Sequence, residues 1–317
     1  MNKQKEGHIS YQVKAIFLLF SELSAYSARL PTPGETLIGK KFTTSFGGKG
    51  ANQSVAAAKT GGNVYIICRV GDDQWAEKYK EHLKHVGVDV TNAYVTKNTT
   101  TGIAQITVAD NGENQIVIVP GANEHLSKSD VDYAKELIKK ADVLIGQLET
   151  PYETTLEAFK LNDGIKLLNA APARAHIETI LPYCTILCVN EPEASQIVNF
   201  DVNVSNIKSA LEILLQSGCK MAIITLGAKG AAYSSKNTGE CIHVSSNKVA
   251  AVDTTGAGDA FVGALASLLV NFKNQPFHQL IGAACEYATL TVTLEGTQTS
   301  YPEKYIPFTK QYDYVTL

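Results

Sequence analysis

Ala251-Val252-Asp253-Thr254-Thr255-Gly256-Ala257-Gly258-Asp259-Ala260-Phe261 is the stretch that decides how this chain folds. A short β-branched segment runs into two glycines, an acid follows, and then an apolar helix from Phe261 to Val270. Gly256 and Gly258 let the backbone turn tightly and leave its N–H groups uncovered. The helix that starts there adds unpaired N–H groups and a positive dipole end. Together these make an anion site, most simply for a phosphate. Asp259 lies in the first turn of that site. A carboxylate beside a phosphate repels the bound ground state, so it points to a chemical job, taking the proton from a hydroxyl that attacks phosphorus. The same residues also fit a plainer arrangement, in which Thr254 or Thr255 caps a helix and Asp259 only favours its N-terminus. Two other phosphate motifs fail. A P-loop ends in Gly-Lys-Ser/Thr, which is absent, and a dinucleotide fingerprint needs a third small residue where Phe261 stands.

Working outward, the chain reads as repeated βα units. Val13 to Phe20 reads as a strand, and its apolar run from Ala15 to Phe20, with Lys14 ahead of it, is too short to span a membrane and lacks the small-residue cleavage site of a signal peptide. Residues 1–12 are polar and expected to fray. Leu37 to Phe46 has strand character. Gly47-Gly48-Lys49-Gly50-Ala51-Asn52-Gln53 is a second glycine-rich turn, ahead of a small-residue helix from Ser54 to Lys59. It could simply cap that helix, or its Lys49, Asn52 and bare backbone N–H groups could hold a polyol or phosphate. Strand Val64–Val70 and a helix from Gln74 to Val86 follow. Gly102–Ala109 and Asn114–Val119 flank Asp110-Asn111-Gly112, a hairpin signal. This hairpin and the 37–46 strand interrupt the α/β rhythm and read as a small sheet, a lid over a site.

From Ser127 the rhythm is regular. A helix near 128–140 leads to strand Asp142–Leu148. Thr150 and Glu153 form a capping-box pattern, with Pro151 at the first helical position. Next come strand Ile165–Asn169, a short helix near 175–181, strand Thr185–Val189, a helix near 206–217 and strand Met221–Leu226. Hairpin strands near 231–235 and 240–245 precede the opening stretch, and helices near 257–271 and 277–290 follow it. The pattern predicts an α/β fold with a mostly parallel sheet flanked by helices on both faces. Ligands in such sheets bind at the carboxyl ends of strands. Gly47–Gln53, Glu149, Asn190–Glu193, Gly227–Gly230 and Gly256–Asp259 all follow predicted strands, which argues for one active site.

Composition agrees with a large single domain. The 317 residues are 44% hydrophobic and 19% charged, enough to bury a sizeable core. A formal net charge of −3 argues against a nucleic-acid or membrane-surface partner. The six cysteines lack CxxC spacing and suit a reducing cytosol. The seven histidines show no HxxxH or HExxH pattern, so no zinc site is expected.

Gly47–Gln53, Gln147-Leu148-Glu149-Thr150-Pro151, Asn190-Glu191-Pro192-Glu193, Ile224-Thr225-Leu226-Gly227 and Asp253–Asp259, in this order and spacing, resemble the ribokinase-like carbohydrate kinase family. The likeness runs from about Arg29 to Pro302. It implies one kinase domain over 1–317, with lid strands at about 24–46 and 94–120. The activity it implies is ATP-dependent phosphorylation of D-ribose to ribose 5-phosphate by in-line transfer. Asp259 corresponds to the catalytic base, and Gly256, Ala257 and Gly258 to the anion hole. Gly48, Lys49, Asn52 and Glu149 resemble sugar-hydroxyl contacts. Asn190, Thr225, Gly227, Gly230 and Gly258 resemble nucleotide-site residues. Glu193 matches a position that helps place Mg²⁺ through water. Asn190 with Glu193 is equally a capping-box pattern. The family's monovalent-cation site, usually for K⁺, maps onto Asp253, Thr255, Thr291, Leu294, Gly296 and Ser300, several through backbone carbonyls. The resemblance further implies a cytoplasmic enzyme (a nuclear location is also compatible) and a homodimer paired through the lid.

The chain departs from the family at its start. Where members carry Gly-Ser-x-x-x-Asp, this chain has Phe17-Leu18-Leu19-Phe20-Ser21-Glu22. Glu22 takes the place of a sugar-binding Asp with one extra methylene, and a misplaced hydrogen-bond partner in a buried site costs about 1–3 kcal/mol. Bulky apolar neighbours could also crowd the pocket. The alternatives are therefore a kinase for another sugar or nucleoside, or a weakly active relative that keeps ATP and loses ribose. Cys285 is a lesser departure, standing where members often have an Asn near the adenine.

Overall fold

The computed structural model describes residues 12–16, 20–174 and 176–317. In chain order the elements begin with β1 (Gln12–Ile16), β2 (Phe20–Ser27), β3 (Lys41–Gly47), α1 (Lys49–Lys59), β4 (Asn63–Val70), α2 (Gln74–His85) and β5 (Val88–Val95). The hairpin β6 (Ile103–Ala109) and β7 (Asn114–Val119) follows. Then come α3 (Lys128–Tyr133), α4 (Lys135–Lys139), β8 (Val143–Gln147), α5 (Tyr152–Leu161), β9 (Ile165–Asn169), β10 (Ile186–Asn190), α6 (Glu191–Val198), α7 (Ile207–Gln216) and β11 (Met221–Thr225). The chain ends with β12 (Ala231–Ser235), β13 (Cys241–Val244), α8 (Ala257–Asn271), α9 (Phe277–Thr291) and β14 (Tyr314–Thr316).

Among the described residues ten strands form one sheet, ordered β14-β13-β12-β11-β10-β9-β8-β1-β4-β5. From β11 through β5 every pairing is parallel, and only the β11–β14 edge is antiparallel. Adjacent residues on these strands fall into different cores. Ile66, Leu167 and Ile223 pack on one face with α1, α2, α8 and α9, while Ile67, Leu168 and Ile224 pack on the other with α5, α6 and α7. That alternation is the period-2 geometry of a strand. It explains why these strands read as continuous apolar runs, since a parallel sheet is covered on both faces. β2, β3, β6 and β7 form a separate four-stranded sheet, ordered β3-β2-β6-β7.

Several expectations need correction. The helix expected from Ser54 starts at Lys49, because Gly48 alone makes the turn at a positive φ of 90°. Lys49, Asn52 and Gln53 therefore project from a helix rather than a loop. The Leu37–Phe46 strand is confined to Lys41–Gly47, and Ile38 is almost fully exposed. The Val13–Phe20 strand divides into β1 and the start of β2, and Phe17–Leu19 lie outside the described residues. Residues 1–11 of the polar start also lie outside them, while Gln12 opens β1. The 128–140 helix is two short helices meeting at Ala134, and the 175–181 helix is two 3₁₀ turns over Ile177–Thr179 and Leu181–Tyr183. The Thr150 capping box does not form. Pro151 is extended at ψ 123° and is itself the cap residue, so Thr150 turns away to Thr155 at 2.9 Å. Tyr94 and Val95 belong to the large sheet through β5, so the small sheet's later part begins at Ile103.

Candidate active site

Asp259 occupies the first turn of α8, and the helix is set against α1 by a close contact. A methyl on Gly263 would lie 2.3 Å from the Gln53 carbonyl oxygen and 2.6 Å from the Ala56 Cβ. Only glycine permits that approach, and it brings the second turn of α1 alongside Asp259. Asn52 Nδ2 then donates to Asp259 Oδ2 at 2.9 Å, and Gln53 Nε2 to Oδ1 at 2.9 Å. Gln53 is fixed in turn by two strand ends. It accepts from Gln147 Nε2 at 2.6 Å and donates to Asn169 Oδ1 at 2.9 Å. The carboxylate is thus gripped on both oxygens, yet it still lines a cleft.

Neither Thr254 nor Thr255 caps α8. The cap is Gly256, in the left-handed region at φ 77° and without a side-chain cap bond. A Cβ on Gly256 would come 2.3 Å from Thr297 Cγ2. By contrast, a Cβ on Gly258 would meet nothing within 4 Å. The space beside Gly258 at the helix N-terminus is open, as an anion site requires, while the Ala257 N–H donates to Thr254 O at 3.3 Å.

Two clefts meet at this point. The smaller, of about 190 Å³, is walled by Lys49, Asn190, Glu193, Thr225, Gly256 and Asp259 among others. The larger, of about 590 Å³, runs past Gly227 and Gly230 between the apolar side chains of Val249, Phe261, Cys285, Ala288 and Val292. Thr225 and Gly258 line both, so they form the shared wall. The small cleft is charged and includes Asp259. The large one is mostly apolar. Burial pushes the Cys285 thiol up to about 12, so this residue meets the groove as a neutral hydrophobe.

The charges of the small cleft are balanced by one another and by Glu149, which does not line it. Burial raises the Asp259 pKa above the usual carboxylate range, against the pull of Lys49, Asn52 and Gln53. Burial works against the Lys49 ammonium, but Asp259, Glu149 and Glu193 outweigh it and hold its pKa above the ordinary value. Glu149 is pushed up to about 7 by burial, with Lys49 opposing, and its Oε2 is buried without a partner. A buried acceptor aimed at nothing fits a residue whose partner is a ligand hydroxyl. Burial also raises Glu193, whose Oε2 accepts from Asn190 N at 3.0 Å while Asn190 Oδ1 accepts from Glu193 N at 2.8 Å. The capping-box reading of that pair is therefore realised, and both residues still face the cleft.

Gly48 turns the chain into α1 and is not among the cleft walls. Glu22 projects from β2 with Oε2 accepting from Ser45 Oγ at 2.9 Å and lies directly over Gly47. Burial raises its pKa, and the charges of Asp259 and Asp253 add to the effect, so it belongs to the same acidic neighbourhood. Asp253 binds the two candidate cation loops together. Its Oδ1 accepts from Thr255 N and its Oδ2 from Gly296 N, each at 2.9 Å. Burial opposes its ionised form, but those bonds outweigh it and hold its pKa low. Thr291 is the last residue of α9, its carbonyl oxygen accepts from Leu294 N at 3.4 Å, and Ser300 Oγ donates to Thr297 O at 2.8 Å. An oxygen-rich turn clasped by an ionised carboxylate suits a monovalent cation. Among the described residues no three His, Cys, Asp or Glu side chains group as a metal ligand set. Sequence reading gave no role to Gln53, Gln147, Asn169 or Gln298. Gln147 and Asn169 end strands and Gln53 lies in a glycine-rich stretch, whereas Gln298 opens a 3₁₀ turn that carries no such signal.

The raised Glu149 carries a stability consequence. A group whose folded pKa lies above its unfolded value contributes stability at low pH that is lost as pH rises through the folded value, here between about 4.5 and about 7. Glu149→Gln is expected to stabilise the ligand-free protein by on the order of 2 kcal/mol at pH 8 and to change nothing at pH 4. Urea unfolding at the two pH values checks this.

The comparisons agree with that geometry. The family model for the pfkB family of carbohydrate kinases matches residues 17–304, and the chain belongs to this family. Its fold is that of an ATP-dependent sugar kinase. More particularly, it is 40% identical over 289 residues to the ribokinase of Mus musculus, covering 90% of each chain. It is 37% identical over 286 residues to a deoxyribokinase of Salmonella typhi, covering 89% of this chain and 92% of that one. Among solved structures, the ribokinase of Thermotoga maritima superposes with a TM-score of 0.84 at 32% identity, over 92% of this chain and 96% of that one. The ribokinase of Arabidopsis thaliana complexed with ribose and ATP superposes with a TM-score of 0.85 at 27% identity, over 93% and 96%.

Proposed function

We propose that this chain transfers the γ-phosphoryl group of ATP to the primary hydroxyl of D-ribose, giving ribose 5-phosphate and ADP. The observation that carries the reading is a carboxylate, Asp259, held on both oxygens beside an open helix N-terminus, where a charged cleft joins an apolar groove. The sugar lies in the small cleft against Lys49 and Asp259, with Asn52 and Glu149 next to these two and outside the cleft lining, and the nucleotide base lies in the large groove. Asp259 takes the proton of the attacking hydroxyl as its oxygen bonds to phosphorus, and the β–γ bridging oxygen leaves with ADP. Charge growing on the transferred group meets the N–H groups around Gly256, Ala257 and Gly258. Mg²⁺, placed through water by Glu193 and by the nucleotide phosphates, would neutralise phosphate charge. K⁺ would be held by oxygens of Asp253, Thr255, Thr291, Leu294, Gly296 and Ser300, fixing the loop that carries Gly256.

A second substrate reading, 2-deoxyribose, is favoured by the deoxyribokinase likeness and by Glu22, which reaches further than the shorter acid of the family pattern. Turnover of ATP with D-ribose, 2-deoxyribose and a nucleoside panel, with Mg²⁺ and with or without K⁺, separates the readings. Ribose-dependent turnover raised by K⁺ supports the proposal. Binding of ATP without turnover of any sugar overturns it and leaves a weakly active relative. Glu22→Asp is expected to lower the KM for ribose by about tenfold, as correct placement of one hydrogen bond would, with kcat nearly unchanged.

The four-stranded sheet is proposed to act as a lid. β7 lies at its edge with Ile116, Val117, Ile118 and Val119 all about half exposed, and pairing with the same strand of a second copy would cover them. A cytoplasmic location is part of the same reading and rests on six buried, unbridged cysteines. Among the described residues no helix is long and apolar enough to cross a membrane.

A further inference from the structure

The orientation of Asn52 decides whether Asp259 receives a donor or faces another oxygen, because an amide presents N–H on one side and C=O on the other. A chain of hydrogen bonds settles it. The Gly47 carbonyl can only accept, and it takes the Tyr79 hydroxyl proton in a short hydrogen bond. The Tyr79 oxygen must then accept from its other neighbour, Gln298 Nε2, at 3.1 Å. That fixes the Gln298 amide, and the same Nε2 donates to Asn52 Oδ1 at 2.9 Å. Gln298 Oε1 is left facing His82 Nε2 at 2.7 Å. With its oxygen occupied, Asn52 can turn only Nδ2 to Asp259. All the links are sheltered. Tyr79 is fully buried and stacked on Phe46 at 4.4 Å, while Asn52 and Gln298 are each 5% exposed.

We infer that Gln298 is a positioning residue, which through Asn52 presents a hydrogen-bond donor to the Asp259 carboxylate and is itself oriented by Tyr79 and the Gly47 carbonyl. The inference deepens the kinase reading by adding a residue that touches neither substrate. Without Gln298, the Asn52 amide is free to rotate and turn Oδ1 toward Asp259. The ionised carboxylate then loses a donor, and its titration moves upward. Lys49 on α1, Glu22 on β2, Glu149 after β8, Glu193 on α6, and Tyr79 and Tyr301 also face Asp259 electrostatically. None of them is altered in Gln298→Met, so a change in the Asp259 titration reports the Asn52 link.

The test is the carboxyl carbon-13 titration of Asp259 in the full ligand-free chain, with the resonance assigned through Asp259→Asn. Gln298→Met keeps the length of the side chain and removes its donor and acceptor. The Asp259 midpoint is expected to rise by about half a unit or more. Tyr79→Phe removes the anchor with little change of volume and is expected to raise the midpoint in the same direction, so the test stands even where Gln298→Met does not fold. With ribose and ATP, kcat of Gln298→Met is expected to fall by about tenfold or more, while the KM for ATP stays within about twofold of the unaltered chain. An unmoved Asp259 midpoint in the folded variants, whatever happens to the melting temperature, would leave Gln298 a structural residue and overturn the inference. Absence of sugar turnover in the unaltered chain would instead count against the kinase reading, because the titration needs no substrate.

Discussion

Asp259→Asn is expected to lower kcat for ribose phosphorylation by about a hundredfold to ten-thousandfold, the range over which a positioned base contributes. ATP affinity should remain within about threefold, because the nucleotide groove is built from other residues. The substitution preserves shape and one of the two contacts with Asn52 and Gln53, turns an NH2 group toward the other donor, and removes the proton acceptor. The opposed donors cost the fold about 1–3 kcal/mol, and one pH-dependent gain works against that cost. The folded-state pKa of Asp259 is raised by burial, so the native protein loses stability as pH rises through it, and the amide escapes that loss. A variant that melts no lower at pH 8 yet turns over ribose poorly would separate the chemical role of Asp259 from a packing role. Steady-state kinetics and thermal melting on the same sample provide both numbers.

Gly258→Ala is expected to have the second large effect, by a different route. The added methyl meets no protein atom within 4 Å, and Gly258 has an ordinary helical backbone rather than a positive φ. Alanine is a better helix former by about 1 kcal/mol at most, so stability should hold or rise slightly. The methyl instead projects into the space where the anion hole would receive the phosphoryl group. Removing a properly aimed donor site costs roughly a hundredfold to a thousandfold in kcat, and a loss of that size is expected here with no fall in melting temperature. Gly256→Ala is the instructive contrast. There the methyl collides with Thr297 and the backbone is left-handed, so both activity and stability should fall.

The parts of this fold legible in the sequence are those set by local pattern. The buried strands Val143–Gln147 and Met221–Thr225 announce themselves as apolar runs between turns, and α8 follows from two glycines and a long apolar stretch. Asp259 was legible for the same reason, since its position beside a helix N-terminus is a property of a few adjacent residues. Its partners were not. Asn52 and Asp259 lie 207 residues apart, and the contact depends on Gly263 letting two helices touch, which no local pattern reveals. β5 was missed because Asp89, Thr91 and Asn92 interrupt its apolar character, and β14 because a three-residue edge strand carries almost no signal. Pro151 shows the opposite failure. A strong local pattern predicted a cap at Thr150, and one extended dihedral moved the helix start past it. Glu22 was identified by counting from Arg29, and its place beside Ser45 and over Gly47 joins the small sheet to the charged cleft.

The most direct test of the account is phosphorus-31 NMR of the unaltered chain incubated with D-ribose, ATP and Mg²⁺, beside Asp259→Asn. The account predicts loss of the ATP γ signal and growth of a phosphomonoester coupled to the C5 protons of ribose, in the unaltered chain only. A phosphate on the anomeric oxygen, equal product from Asp259→Asn, or ATP left intact would contradict it.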